Sequence, residues 1–410
     1  GQTHIIPAPL PVSPMHSLVQ FNNATLTTQS YEPMKSVGNS FAHPMVSRDS
    51  VYETMDDSFF NSRANPVDHT WLLNDALFDR YFFSGIAPDY SHSPSYSTSE
   101  TLTEPLEDFY GDDYLGANAS SAIVPYFPMG KDAATIVAEL DDETDGLGYK
   151  KLAAYSLLKD QFNVNSTSQA AWEALLRANR GLDVEQLNGG TDSGSDTPFP
   201  EGSGYVDTGE AYWSGVRRLD EDEISDLAEK IVEQVKARGP FLSLSDFINR
   251  RLSSDAYGNS GALQSAIDAT SINSSVDSSA GGTNTNYGTF SDRYTKYIPE
   301  GAAFPTRKTT TGIAEDITQA KLLMALAPKL NARSDTFKIR AYGETLDLAG
   351  NVVASATCEA VVQRVPEYLD ETDEPWKENY SNPLPYTDNA PSNTLTLLNQ
   401  QFGRNFKIVS

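Results

Sequence analysis

The residues best suited to chemistry in this chain are carboxylates. Asp141, Glu143 and Asp145 occupy alternate positions and are followed by Gly146. That is how a calcium loop opens, with alternating oxygens converging on a hard cation and a glycine permitting the sharp turn. The pattern then breaks, because Leu152 stands where a bidentate glutamate would close the loop. The preferred reading is a solvated acidic surface and no cofactor is expected; this trio is the weak metal candidate, with calcium as the ion it would suit. A second run, Asp370, Glu371, Asp373 and Glu374, repeats the Asp-Glu-Thr-Asp string without the glycine.

The remaining reactive residue types do not assemble into a motif. All five histidines, His4, His16, His43, His69 and His92, fall in the first 92 residues, and none has the H-x-H or H-E-x-x-H spacing that puts two imidazoles on one metal. The single cysteine, Cys358, rules out an internal disulfide, a zinc knuckle or a Cys-pair redox site, and its apolar surroundings suggest a buried small hydrophobe. The chain has no G-x-S-x-G elbow, Walker loop or dinucleotide-binding glycine turn. We expect no catalytic residues and no enzyme activity. The paired carboxylates of a glycoside hydrolase are distant in sequence and stay open at this point. With 20 Tyr and 4 Trp in the composition, a secreted carbohydrate-binding or carbohydrate-active surface protein is the alternative reading.

A net charge of −26 opposes binding to phosphate backbones and anionic lipid headgroups, which are held through Lys and Arg. Partners are therefore not expected to be nucleic acid, and the sequence has no run of the roughly 18 to 20 apolar residues that a membrane-spanning helix needs. Gly1 and the strand-like ending at Ser410 read as cut ends of a longer chain.

The elements that must carry these residues change character along the chain. Residues 1–130 are rich in Pro, Ser, Asn and Tyr, with one aromatic helix predicted over 69–83 and a strand at 122–127; they are expected to lie extended over the sheet. Residues 131–330 read as a helical domain. Helices are predicted at 131–139 and 149–160, at a third site capped by Ser166 with Gln169, and at 313–327. Low-complexity insertions are predicted at 188–210 and 253–295. The clearest unit runs from Asp220 to Leu252. Asp220 and Glu223 have capping-box spacing, and Ile224, Leu227, Ala228, Ile231, Val232 and Val235 repeat at 3.6 residues. Gly239-Pro240 ends that helix, and Ser243 caps a second one with Leu242 and Phe247 at staple spacing. Arg238, Arg250 and Arg251 beside such a turn raise the question of DNA binding through a helix-hairpin-helix, but the first helix opens Asp-Glu-Asp-Glu, which favours protein packing. Residues 331–410 read as an antiparallel sheet. Phe337, Ile339 and Ala341 alternate with Lys338, Arg340 and Tyr342, a turn follows at 349–351, and a β-branched strand runs from Val352 to Val365 before Pro366. A last strand is predicted over 402–409.

Three of these segments, in order, resemble the K-type minor pseudopilins of type II secretion. They are Phe162-Asn163-Val164-Asn165-Ser166-Thr167, the hairpin Leu219–Leu252 with its turn from Gly239 to Phe247, and the strands Phe337–Ala341 and Glu359–Arg364. In that family V-N-V-N-T precedes a helix, an inserted helical domain carries G-P-F-x-S-x-x-D-F, and a closing strand carries L-E-A-V-V-R-R. Flanking segments look like the C-terminal part of the Verru_Chthon cassette protein A family, whose members are encoded beside several prepilin-like proteins. These are Pro9 to Pro14 with His16-Ser17-Leu18, Gly38 to Pro44, Leu72 to Phe83 and Gln401 to Arg404. The resemblance implies an α+β fold: a pilin-like antiparallel sheet with an inserted helical domain containing a helix-hairpin-helix-like unit. It also implies an extracytoplasmic cell-envelope location, a membrane anchor N-terminal to this sequence, pilin-like or prepilin partners and a structural, non-enzymatic role. No acidic motif here matches the calcium sites of K-type pseudopilins, and the resemblance identifies no partner-binding residues.

Overall fold

The structure, a computed structural model, describes residues 15–23, 36–43, 46–53, 66–86, 101–111, 123–141, 147–185, 190–200, 216–275, 315–377 and 395–409. In chain order its helices are α1 His69–Leu77, α2 Thr103–Tyr110, α3 Ala133–Leu140, α4 Gly148–Ala154, α5 Gln169–Leu176, α6 Glu221–Arg238, α7 Leu244–Ile248, α8 Ala262–Asp268, α9 Gln319–Leu326 and α10 Leu397–Phe402. Its strands are β1 Ile123–Pro125, β2 Ser156–Leu158, β3 Phe162–Asn163, β4 Val184–Glu185, β5 Thr191–Asp192, β6 Thr197–Pro200, β7 Val216–Leu219, β8 Leu330–Asn331, β9 Thr336–Leu346, β10 Val352–Tyr368 and β11 Arg404–Ile408. The fold is α+β. The chain divides into two compact units, residues 1–83 with 161–332 and residues 84–160 with 333–410, so the helical stretch 161–332 interrupts the second unit in sequence. The divisions fall near the expected boundary at 330 but not at 130: residues 131–160 belong with the C-terminal strands.

The first unit is built on α6. Asp220 accepts from the Glu223 amide, and the Glu223 side chain accepts from the Asp220 amide, closing the capping box. Three acidic residues stand in the first turn and Lys236 and Arg238 in the last, matching the helix dipole at both ends. The periodic face of α6 is buried as its spacing dictates, from Ile224 through Val235. In α5 the cap is Ser168, which accepts from the Ala171 amide, and not Ser166. The predicted staple is also absent. Leu242 stands 68% exposed, while Phe241 is buried edge-on against Phe247 at 5.2 Å.

Two expectations for this unit are corrected. Residues 253–275 lie inside a predicted insertion, yet they contain α8, whose Ala262, Leu263, Ala266 and Ile267 enter the core beside α6. Their apolar spacing is helical but is flanked by Ser, Asn and Gly, which masks it. Residues 190–200 are likewise folded, because Arg218 donates to Asp192 and to the carbonyls of Leu182, Asp192, Gly194 and Asp196. The rest of both predicted insertions, 188–189, 201–210 and 276–295, lies outside the described residues.

The N-terminal segments also differ from expectation. A 3-10 helix over Leu18–Asn23 packs against α9, and Val19 and Val37 join the helical core, not the sheet. The aromatic helix α1 ends at Leu77 instead of reaching 83, since Phe78 is extended and Asp79 adopts φ 70°.

In the second unit, α2, α3, α4 and the β1–β2 ribbon enclose a small core of Leu106, Phe109, Ile123, Ile136 and Tyr155. Helix α2 falls within the region expected to lie extended. The sequence predicts one helix over 149–160, but α4 stops at Ala154 and its second half becomes β2. The C-terminal segment forms a three-stranded antiparallel sheet in the order β11-β10-β9. Strand β10 runs past Pro366 to Tyr368, with the ladder irregular between Arg364 and Tyr368, where a residue without an amide proton is tolerated.

Candidate interaction surface

The β9–β10–β11 sheet sorts its side chains by the two-residue period of a strand. Directly paired residues share a face: Phe337 with Val362, Ile339 with Ala360, Ala341 with Cys358, and Val362 with Ile408. Phe406 lies on the same face, with its ring 6.3 Å from that of Phe337. The opposite face carries Lys338 and Arg340, both ion-paired to Glu359 at 2.6 and 2.8 Å, and Tyr342, which donates to Glu344 at 2.8 Å.

This alternation normally marks a half-buried sheet, with the apolar side on a core. Here every residue of β9 is exposed. Phe337 and Ile339 are 42% and 51% exposed, and Phe406 and Ile408 are bare as well. Cys358 is exposed, which corrects the expectation of a buried cysteine. At the turn, the Asp347 carboxylate accepts from the amides of Ala349 and Asn351 and fixes a tip that projects Leu348 into solvent. Arg364, paired with Phe406 and held by Asp335, is the charged residue on this face, and the exposed apolar area beside it is of the kind that marks interaction sites or ligand grooves.

The calcium candidates are placed only in part. Asp141 is an exposed residue at the C-terminus of α3, and its carboxylate accepts from the Thr103 hydroxyl at 2.9 Å. Glu143 and Asp145 lie outside the described residues, as do His4 and His92. Among the described residues no group of three His, Cys, Asp or Glu side chains is arranged to hold a metal. In the second acidic run the oxygens are taken by the chain itself. Asp373 is buried and accepts from Lys377, the Thr396 amide and Asn399, while Asp370 accepts from the Thr372 amide and hydroxyl. The Lys377 ammonium first, together with these amides, holds the Asp373 carboxyl well below the usual range.

One ionisable cluster of the second unit joins Lys131, Glu139 and Tyr155. The Tyr155 hydroxyl donates to Glu139 at 2.5 Å, and Lys131 donates to both at 2.6–2.7 Å. Burial, then the Glu139 acceptor, drives the Tyr155 pKa upward, so its proton stays on. Trp376 packs edge-on against Tyr155 and within 5.3 Å of the Lys131 ammonium. Trp71 and Trp172 are similarly engaged, their indoles donating to Arg250 and Ser166 carbonyls; Trp213 lies outside the described residues.

The helical hairpin is internally satisfied where a nucleic-acid-binding turn would be open. The Asp79 carboxylate caps α7, accepting from the amides of Leu244 and Ser245 at 2.6 and 2.9 Å. Arg250 is buried against Asp68 at 2.8 Å, and Arg238 donates to the Ser260 carbonyl. Burial brings the Arg238 pKa down to about 10, so its guanidinium stays charged at neutral pH, where it lies over the Tyr257 ring. Arg251 bonds the Arg238 carbonyl.

The segments singled out by motif meet around this hairpin. Asn165 clasps Phe241 through both its backbone amide and carbonyl. A buried carboxamide seam lies beside it. Asn74 bonds Gly38, Asn39 and Asn249, and Gln319 bonds Gly38, Ser40, Ile248 and Gln264, leaving neither side chain short of a partner. Gly38 has φ 83° and would place a Cβ 2.9 Å from Val19, so the position requires glycine. Periodicity does not reveal this seam; the only signal was Asn and Gln set among apolar neighbours.

Comparison with known proteins adds nothing to this geometry: no family model, no curated protein and no solved structure matches the chain.

Proposed function

We propose that this protein is a structural, non-enzymatic component of a pilin-like, type II secretion-like assembly of the cell envelope, acting through protein–protein contacts. It would work outside the cytoplasm, tethered by an N-terminal anchor beyond this sequence. The observation that carries the reading is the uncovered apolar face of the β9–β10–β11 sheet. Phe337, Ile339, Phe406 and Ile408 are about half exposed or more, so a partner that covered them would gain roughly half or more of the about 1.5–3 kcal/mol that full burial of such a side chain is worth. Apolar segments of pilin-like partners fit such a face, and the resemblance of the motif set to the K-type pseudopilins points to the same class of partner. Among the described residues no helix is long and apolar enough to cross a membrane.

The test is affinity capture of the full-length protein from its native envelope, with mass spectrometry of what accompanies it. Pilin-like products should be recovered with the wild type and lost with Ile339→Asp, which charges the centre of the face. Recovery of the protein alone, attached to polysaccharide, would instead favour the carbohydrate-binding reading.

A further inference from the structure

Among the described residues strand β9 is an edge of its sheet. One side of it is paired with β10 from Thr336 to Leu346; among the described residues no strand pairs with the other. Edge strands are usually blunted by charged side chains, proline, a bulge or short length, and of these β9 carries charge alone, at Lys338, Arg340 and Glu344. Strand β9 has no proline, is 11 residues long, and the only register shift in its ladder lies near the turn, between Val352 and Ala354. Its outward amides and carbonyls form a ready template for another strand.

The charge order along β9 identifies the strand it fits. On the polar face Lys338 and Arg340 stand toward one end and Glu344 toward the other, with Tyr342 between. A second β9 laid antiparallel in the register that overlaps the whole strand sets Ala341 opposite its own counterpart. Lys338 then faces Glu344 of the second copy, and Arg340 faces Tyr342, each pairing occurring twice about the two-fold axis. Parallel pairing would instead stack Lys338, Arg340 and Glu344 each on its like. Sliding the antiparallel register two residues one way would put Arg340 against itself, and sliding it two residues the other way would pair Arg340 with Glu344 but set Lys338 against Leu346 and shorten the overlap. Opposed residues share a face, so the apolar faces of the two sheets also become continuous.

We propose that two copies of this chain associate through β9, antiparallel and centred on Ala341, to form one continuous sheet ordered β11-β10-β9-β9-β10-β11. This joins edges and leaves the apolar face open, so it stands apart from the envelope role and is tested on the purified chain.

Sedimentation velocity should show a reversible dimer. Lys338→Glu and Glu344→Lys should each weaken dimerisation by about tenfold, since two attractive pairs become two repulsive ones. The double exchange should return it to about the wild-type value, while circular dichroism shows all three variants folded. In a Cys358→Ser background, Ala341→Cys should form a covalent dimer on oxidation. Ala356→Cys should not, because in this arrangement its counterpart lies roughly 20 Å away. A double exchange no better than the single ones, a monomeric Ala341→Cys protein, or equal cross-linking through Ala356→Cys would each overturn the proposal.

Discussion

The α6–α7 hairpin and the β9–β10 hairpin both carry a clean apolar period, yet they use it in opposite ways. In the helical hairpin the apolar face is covered and the polar groups are closed off as well. Asp79 occupies the α7 amides, Asp68 neutralises Arg250, and Phe247 is fully buried. In the strand hairpin the period sorts Phe337, Ile339 and Ala341 from Lys338 and Arg340, but nothing among the described residues covers the apolar side. Periodicity therefore states which side chains share a face, while the surrounding chain decides whether that face is core or interface. The first hairpin buries its apolar face within its own unit, and the second leaves its apolar face exposed.

Substitutions should separate the two regions sharply. The largest effect is expected from Arg250→Ala, which leaves the Asp68 carboxylate buried without its partner and should cost about 3–5 kcal/mol in denaturant unfolding. Phe247→Ala should cost about 3–5 kcal/mol through a cavity between Trp172 and Phe241. Asp79→Ala removes the cap from two α7 amides and should cost about 1–2 kcal/mol. Ile339→Asp, on the half-exposed face, should cost about 1 kcal/mol, the span of strand propensity, while abolishing partner capture. Equal stability losses at Phe247 and Ile339 would erase the distinction.

A pH titration sharpens the comparison within the second unit. The Asp373 carboxyl is held below its unfolded value, so its contribution to stability is complete above about pH 4 and is lost as pH falls through the folded value. Asp373→Asn should flatten part of the acid slope of unfolding below about pH 4 and leave the remainder unchanged. An unaltered slope would show that the carboxylate's buried contacts do not contribute.

Much of the helical unit was legible in local spacing. The Asp220–Glu223 box, the buried face of α6 and the Ser243 cap follow from short-range rules and occur as read. The alternation and turn of the β9–β10 hairpin were equally plain. The fate of the hairpin's apolar face was not, because burial depends on what packs against it. The same dependence explains Cys358, placed in a core by its neighbours and exposed by the architecture. Long-range polar contacts were the least legible. Asn165 at the Phe241 turn, the Asn74 and Gln319 seam, and the Asp79 cap join residues far apart in the chain through single side chains, and no local period marks them. Within the candidate metal set, the sequence supplied alternating carboxylates, whereas Asp141 is the one described member and engages Thr103.

Cys358 offers the most direct test of the contact surface, since the only thiol of the chain sits on the apolar face, opposite Ala341. Its labelling by a maleimide should be compared between the purified chain and the full-length protein in intact native envelopes. The account predicts rapid modification in the purified chain and strong protection in the envelope, relieved by Ile339→Asp. Equal labelling in both settings would contradict it, because the face would then be as open in the assembly as it is alone.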